Sequence, residues 1–379
     1  MFDNQYDVIV IGGGISGLSY SILMAQKGWS VLVIEKDSYP RHRVCGEYLS
    51  LESLSFLQSI GLNANSPIFP IINKLKITST GPNFFETNLP LGGIGISRYF
   101  LDDFLFQQAK NLEVTVLQNE EVIKFDHTKV ETKNGSIFHS KLILVSIGKS
   151  IGNQKKLGIE NQKPKTKFVG VKQYFNNHDI DDNTIELHNF NGGYAGISKV
   201  ENQKTCFCYL ANANSIKDFN GDLNKFEKEV MYKNKFLKNH LEKGLKAFET
   251  PLTISNFSFG VHNLISKNCI NLGDVAGSIS PLCGNGMSMA IHSAFIASNF
   301  SDRYLNNKLD LDNMLKSYVK AWKKNFNLRV RAGIEIQQFF GNEKRSSILV
   351  NIAKYSPKYV SNSLIKLTHG SDIYQKSLL

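Results

Sequence analysis

No stretch of the 379 residues approaches the roughly 18 to 20 consecutive apolar residues that cross a bilayer. The start of the chain also lacks a secretory pattern, since the apolar run Val8 to Ile11 is short, follows Asp3 and Asp7, and gives way to glycines. Cysteine is scarce. Cys45, Cys206, Cys208, Cys269 and Cys283 are odd in number and show no CxxC spacing, so neither a disulfide framework nor a zinc site is expected. The nine histidines form no ligand spacing either, and the expected metal content is none. Cys206 and Cys208, two apart in the apolar run Thr205 to Leu210, read as small core residues on one face of a strand. A reduced, cytoplasmic setting follows. The two tryptophans, Trp29 and Trp322, both lie in stretches that read as helical. With 9 prolines and a hydrophobic share of 42%, the composition is that of a packed protein, not a disordered one. Its length points to two domains in one chain.

The net charge of +11 is uneven. Between Lys316 and Lys366 there are eleven basic residues against Glu335 and Glu343. The plain reading is a solvated helical face. The sharper one is an anionic partner: a membrane surface, an acidic carrier protein or an acidic substrate. No recognition motif accompanies the charge, so nucleic acid is not an expected partner.

What the chain does have is glycine in the right places. The apolar run Tyr6 to Ile11 meets Gly12-Gly13-Gly14-Ile15-Ser16-Gly17, and a second apolar run, Ser30 to Ile34, ends at Glu35 and Lys36. This reads as strand, glycine turn, helix and strand. Gly12, Gly14 and Gly17 fit GxGxxG: the first for a tight turn, the second for approach of a pyrophosphate to bare backbone, the third for close packing of helix on strand. The phosphate then meets the free N–H groups and positive dipole end of the helix. Glu35 stands eighteen residues after Gly17, where a carboxylate accepts from an adenosine ribose. Any glycine-rich turn can imitate GxGxxG, but here both strands and the acid accompany it, so an ADP-containing dinucleotide is expected.

Further along, Pro40 to Glu47 is basic and turn-rich, and Arg41, Arg43 and Gly46 could contact a phosphate or a flat ring; an ordinary surface turn is the alternative. Ser50 to Ile60 reads as an amphipathic helix ended by Gly61, and Ile71 to Leu91 as strands turning at Gly81-Pro82-Asn83. Arg98, just before a helix, could hold a cofactor oxygen or be an exposed capping cation. Strands follow at Glu113 to Leu117, Val122-Ile123, Val130 to Thr132 and Lys141 to Ser146, the last ending in Ile147-Gly148. Phe168 to Phe175, Thr184 to Phe190, Gly193 to Lys199 and Thr205 to Ala211 alternate like an antiparallel sheet with one covered face. Charged helices over Phe219 to Phe248 and a strand over Phe257 to Val261 complete the middle. Cys269 to Asp274 is a strand ending in Gly273-Asp274, which places a carboxylate at the ligand edge of an α/β sheet, suited to a chain of sugar-like hydroxyls. Pro281 to Gly286 then leads, through Gly284, Asn285 and Gly286, into a helix from Met287 to Phe300 whose N-terminus can face a planar ring.

Together these stretches resemble the FAD-dependent oxidoreductases of the p-hydroxybenzoate-hydroxylase type, above all the branch of geranylgeranyl reductases and flavin-dependent halogenases. The likeness rests on Gly12 to Gly17 with Glu35, on Ser97-Arg98 with Asp102, on Gly273-Asp274 through Pro281 and Gly286, and on Pro40-Arg41 through Cys45-Gly46-Glu47, which looks like the reductases' PR…CG and the halogenases' PR…GE. The resemblance implies a mixed α/β fold with a Rossmann-like FAD-binding domain (1–70, 95–160 and 262–310), an inserted antiparallel substrate domain (71–94 and 161–261) roofing the flavin, and a C-terminal helical region (311–379). It implies that Gly12, Gly14, Ile15, Ser16 and Gly17 cradle the pyrophosphate. Glu35 and Lys36 would meet the adenosine ribose, Gly273 and Asp274 the ribityl chain, and Pro281, Gly284, Asn285, Gly286 and Met287 the isoalloxazine. Arg98 would contact FAD, Gly148 would lie nearby, and Arg41, Arg43, Val44, Cys45 and Gly46 would line the flavin edge.

The chain also departs from the group. Hydroxylases carry Asp-Gly where Ile147-Gly148 stands, which removes the basis for hydroxylase-style NADPH binding. The tryptophan halogenases' WxWxIP is absent. Gly192 to Ile197 matches the reductases' Tyr-Trp segment only in part. There is no second GxGxxG, so NAD(P)H would dock transiently as electron donor or another protein would supply electrons. Tyr174, His188, Tyr194 and Tyr209, on the expected roof strands, are the candidate proton donors or acceptors. The expected activity is an FAD-dependent monooxygenase of secondary metabolism acting on a hydrophobic or aromatic intermediate, free or carrier-bound. The alternatives are a reductase of isoprenoid or lipid double bonds, for which the basic tail would contact a membrane peripherally, and a flavin-binding protein without turnover.

Overall fold

The computed structural model describes residues 4–160, 167–176, 178–370 and 372. The ends of the expected segments at 1–3, 161–166 and 373–379 lie outside the described residues. The architecture is mixed α/β and is built on two sheets. The first has eight strands, ordered Ile265–Ser266, Cys269–Asn271, Ile137–Val145, Gln5–Ile11, Val31–Ile34 and Thr115–Leu117, with the hairpin of Val122–Phe125 and Lys129–Thr132 joined to Ile137–Val145. From Cys269–Asn271 to Thr115–Leu117 every pairing is parallel. Parallel strands are covered on both faces, which is why Val8 to Ile11 and Val31 to Ile34 are continuous apolar runs with no alternation. The helix Ile15–Ala25 connects the first strand to Val31–Ile34 and is buried from Ile15 to Met24 against the helix Gly286–Leu305.

The register of this sheet sets the site. Ile11 is level with Ile34 on one side and with Val145 on the other, and Val145 is level with Asn271. The segments after these four residues therefore emerge together along one edge. Gln5–Ile11 is also where connections leave in opposite directions, the switch point at which open α/β sheets bind ligands.

The second sheet has nine strands, in the order Leu245–Lys246, Phe168–Asn176, Thr205–Asn212, Gly193–Lys199, Thr184–Phe190, Ile71–Thr78, Phe84–Gly95 and Tyr48–Ser50, with Leu252–Ser255 on Phe168–Asn176. Its pleat separates two faces. Val171, Phe175, Phe190, Phe207 and Tyr209 point to an outer core closed by Phe226, Leu237 and Leu241 of the helices Leu223–Glu229 and Lys235–Lys243. Gly170, Leu187, Tyr194, Gly196, Cys208 and Leu210 face a cleft between the sheets. The long helix Leu311–Gln337 braces the first sheet: Tyr318 donates to Asn271 O at 2.7 Å, and the Trp322 ring fills the space a Cβ at Gly277 would need.

Three sequence expectations need correction. Ser50 to Ile60 is not one helix: Tyr48–Ser50 pairs with Phe84–Gly95, and only Leu54–Ser59 is α-helical, closed as expected at Gly61, where Leu62 N donates to Leu57 O. Phe257 to Phe259 is not strand. Phe257 is buried against Phe259 and in apolar contact with the cleft, and only Gly260–Val261 pairs, with Gly277–Ser278. Trp29 lies beyond the helix end in the turn before Val31–Ile34, its indole donating to Asp302 at 2.9 Å.

Candidate functional site

The first half of the site is the glycine turn. Gly12 has φ +99°, and a Cβ there would stand 2.5 Å from Ser146 O, so the turn needs glycine for both backbone and space. Gly17 packs so closely that a Cβ would meet Gly12 O at 2.1 Å. Gly14 differs: nothing lies within 4 Å of the position its Cβ would take. It is the N-cap of Ile15–Ala25 and no side chain caps that helix. The open side of Gly14 and the uncapped N–H groups together form a cradle for an anion. Ser16 holds the cradle's base, its hydroxyl 2.7 Å from that of Ser146.

Glu35, at the end of the next strand, stiffens the turn. Its carboxylate accepts from Gly13 N at 2.8 Å and from Asp37 N at 3.0 Å, and lies 2.8 Å from Arg41. Arg41 in turn donates to Gly13 O at 3.0 Å. A carboxylate has about four lone-pair positions, so acceptor capacity is left for a diol at the cleft.

The second half comes from the far end of the chain. Gly273, at φ +62°, turns the strand end so that Asp274 lines the cleft. Behind it His262 Nδ1 lies 3.3 Å from Asp274 O, and Nε2 is 3.1 Å from Ser258 Oγ. Burial holds the His262 imidazole below its ordinary pKa, against the pull of Asp274. Pro281–Cys283 forms a single helical turn stopped by Gly284 at φ +63°, where a Cβ would strike the Tyr48 ring. Gly286–Leu305 then begins with no side-chain cap, and open space lies over Gly286. A second uncapped helix N-terminus thus faces the cleft, suited to negative charge on a planar ring.

Between the halves runs the loop Arg41 to Glu47, fastened from both sides. Arg98 is not an exposed cap: it forms a bidentate pair with buried Asp102, both contacts at 2.7 Å, and that charge holds its pKa up despite burial. Its backbone N–H donates to Glu47 at 2.7 Å. Glu47, at φ +58°, is buried; its carboxylate also accepts from Tyr174 OH at 2.6 Å and from Lys172 Nζ. Lys172 donates to Arg43 O at 3.1 Å as well. Burial pushes the Glu47 carboxyl up. Burial would lower Lys172, but the facing carboxylate outweighs it and keeps the ammonium charged.

These elements enclose a cavity of about 380 Å³, a size usual for ligand sites. Gly12, Gly14, Ile15, Ser16, Glu35, Lys36, Arg41, Arg43, Val44, Cys45, Gly46, Arg98, Gly148, Asp274, Pro281, Gly284, Asn285, Gly286 and Met287 all line it. Gly17 and Gly273 do not. They stand behind it and shape the turns. The residues present therefore fit a dinucleotide with a flat ring: a phosphate cradle, a carboxylate with acceptor capacity at each end, and glycine where backbone must come close.

The four proton-transfer candidates do not share a face. Tyr194 lines the cleft, its hydroxyl near Ser280 and Leu282 without an aligned hydrogen bond. Burial raises it well above the ordinary tyrosine value. Tyr174 is on the same side but its hydroxyl is committed to Glu47 and Lys172. His188 and Tyr209 project to the outer face, one into a network with Thr78 and Glu186, the other against Phe207 and Phe226 with its hydroxyl 3.5 Å from Glu227. Strand register decides this: His188 is level with Ala195 and Ala195 with Tyr209, so these share the face opposite to Tyr194, although Tyr209 also borders the cleft. Sequence reasoning missed Lys172 and the role of Glu47. A lysine in an apolar strand was the available signal for the first; the positive φ that aims Glu47 inward has no sequence signature.

The fold and the cleft are those of a dinucleotide-binding protein. Residues 5–79 match the family model described as FAD binding domain. Among known proteins, the chain is 22% identical to the digeranylgeranylglycerophospholipid reductase of Methanococcus aeolicus over 86% of this chain and 84% of that one. Among solved structures, the flavin-dependent brominase Bmp2 superposes with a TM-score of 0.79 at 15% identity, covering 96% of this chain and 93% of the other. PqsL of Pseudomonas aeruginosa, described as a probable FAD-dependent monooxygenase, superposes with a TM-score of 0.71 at 16% identity, covering 92% and 100%. The chain is thus similar, in its FAD-binding segment and in its fold, to FAD-dependent oxidoreductases, among them geranylgeranyl-type reductases and halogenases. The names of these proteins span reductase, brominase and monooxygenase, so the likeness does not single out one reaction. Among the described residues no helix is long and apolar enough to cross a membrane.

Proposed function

We propose that the chain is an FAD-dependent reductase that saturates a double bond in a hydrophobic, isoprenoid- or lipid-like substrate. The observation that carries this reading is the character of the cleft beyond the cofactor positions. Ile185, Leu187, Leu210, Ile254 and Phe257 line it, with Lys149 over the Phe257 ring, and two sets of charged groups beside it, Glu47 with Lys172 and Arg98 with Asp102, are paired to one another. Such a chamber solvates an alkene and not a charged substrate. The likeness to a lipid reductase over most of both chains supports the same reading.

When bound, FAD supplies the hydride. The chain's own residues do the rest: the apolar roof excludes water, the Arg41 to Glu47 loop closes the edge, and Tyr194 offers the roof's hydroxyl to the substrate. Reduced pyridine nucleotide, docking transiently, is the proposed electron donor. The basic C-terminal helices are proposed to meet an anionic membrane surface from which such a substrate would come.

A monooxygenase acting on a hydrophobic or aromatic intermediate is the second reading, favoured by the fold shared with PqsL. Incubation of the reduced flavoprotein with polyprenyl lipids, in air and without oxygen, separates the two by product mass. Anaerobic gain of two hydrogens supports the reductase. A strict need for oxygen with gain of one oxygen atom overturns it in favour of the monooxygenase.

A further inference from the structure

On the outer face of the second sheet, away from the cleft, Glu186 and His188 of the strand Thr184–Phe190 meet His240 of the helix Lys235–Lys243, all three buried. Linear spacing offers no metal motif, because fifty-two residues separate the two histidines. The fold brings them together. Glu186 Oε2 lies 2.9 Å from His188 Nε2 and 3.0 Å from His240 Nε2, and the three atoms fall within 4.8 Å of one another.

We propose that this cluster is a binding site for a divalent transition-metal ion of the zinc type, one that pins the outer helix to the roof sheet. Three observations support it. Around tetrahedral zinc, with bonds of about 2.0–2.1 Å, neighbouring ligand atoms stand roughly 3.3 Å apart, close to the two spacings from Glu186 to the histidines. His188 is fully buried, yet its Nε2 makes no aligned hydrogen bond, although Glu186 is within reach. Finally, each histidine's other ring nitrogen is engaged as a metal-bound imidazole requires: His188 Nδ1 lies 3.0 Å from Thr78 Oγ1, and His240 Nδ1 lies 2.8 Å from His178 Nε2.

Two imidazoles and one carboxylate suit zinc with a fourth position left for water. Lys76 Nζ, 3.6 Å from Glu186 Oε1, occupies the other carboxylate oxygen and directs Oε2 to the ion. The site shares no residue with the flavin cleft, so its success or failure is independent of the flavin reading.

The test is metal analysis of the flavin-loaded protein purified without chelators, alongside His240→Ala and Glu186→Gln, with flavin content measured in each sample. About one equivalent of zinc per chain is expected in the wild type, falling at least tenfold in both variants at unchanged flavin content. Should a variant fail to fold, the wild type itself is stripped with chelator and titrated with Co2+: visible ligand-field bands at one equivalent, displaced by Zn2+, support the site. Wild-type protein that carries no metal and takes up neither ion at micromolar concentration overturns it, as does equal metal content in wild type and folded variants.

Discussion

Gly14 and Gly12 stand two residues apart, and a side chain added at each is expected to do different damage. Gly14 has φ −80° and ψ −175°, an extended conformation any residue adopts, and open space beside it. Gly14→Val should therefore fold with little change in Tm while flavin affinity falls at least tenfold, about 1.4 kcal/mol, because the new methyls fill the anion cradle. Flavin absorbance after desalting, read against Tm, checks this; full flavin retention would remove the pyrophosphate from that position. Gly12→Ala should instead lower Tm, since positive φ costs about 1–3 kcal/mol before the contact with Ser146 O is counted. The Glu47 and Lys172 pair is the second test at this scale. Removing one partner leaves a buried charge alone, at a cost of about 3–5 kcal/mol, whereas Lys172→Met with Glu47→Leu should recover a good part of it. Urea unfolding of the singles and the double reads the coupling, and simple additivity would show that the two side chains do not depend on each other.

Individual elements were legible in the sequence where their period was clean. The strands Phe168–Asn176, Thr184–Phe190, Gly193–Lys199 and Thr205–Asn212 stand where the sequence places them, but both their faces are covered and not one as expected, and Gly12, Gly14 and Gly17 announce the first turn. Which face of a roof strand meets the cleft was not legible. The outer face is as apolar as the inner one, with Phe207 and Tyr209 outward and Cys208 and Leu210 inward, so no polarity contrast marks the side that holds substrate. That is why His188 and Tyr209 looked equal to Tyr194. Nor could Ser50 to Ile60 be divided by composition, because Ser50 pairs with Gly93 and Leu51–Ser53 forms a tighter 3-10 turn before the α-helix begins. His262 supplies the prediction that belongs to this level. Its folded pKa lies below the ordinary value of 6.5, so its neutral form is favoured by folding. Stability from this source is complete above the unfolded value and is lost as pH falls through the folded one. Since His262 backs the Asp274 turn, flavin retention should decline as pH falls below the ordinary histidine value of 6.5, and His262→Asn should flatten that decline. A profile identical in wild type and variant would assign the acid sensitivity elsewhere.

At the scale of the whole molecule, the C-terminal helices have two different surfaces. Leu311–Gln337 is part of the body: Trp322 and Phe326 are buried, and Arg329 reaches Glu52 at 3.1 Å in a buried pair. The next helix, Glu343–Tyr355, is amphipathic in the opposite sense to a core helix, with Ile348, Ile352 and Tyr355 exposed along one side and Lys344, Arg345 and Lys354 beside them. Tyr359 extends this surface at 71% exposure. Exposed apolar groups flanked by cations, in the region where most of the chain's excess charge lies, have the chemistry of a contact with anionic lipid. Each lysine or arginine close to such a surface contributes about 1 kcal/mol, and screening within a Debye length of about 8 Å at physiological salt makes the contact salt-sensitive. The flavin-loaded protein should therefore sediment with vesicles containing phosphatidylserine, stay in solution with pure phosphatidylcholine, and be released by high salt. Ile352→Glu and Tyr355→Glu, both exposed and remote from the cleft, should weaken vesicle binding about tenfold, roughly 1.4 kcal/mol, with flavin content unchanged. Equal binding to neutral and anionic vesicles, or none to either, would leave the apolar side of this helix to a protein partner and would separate the delivery of a lipid substrate from the basic end of the chain.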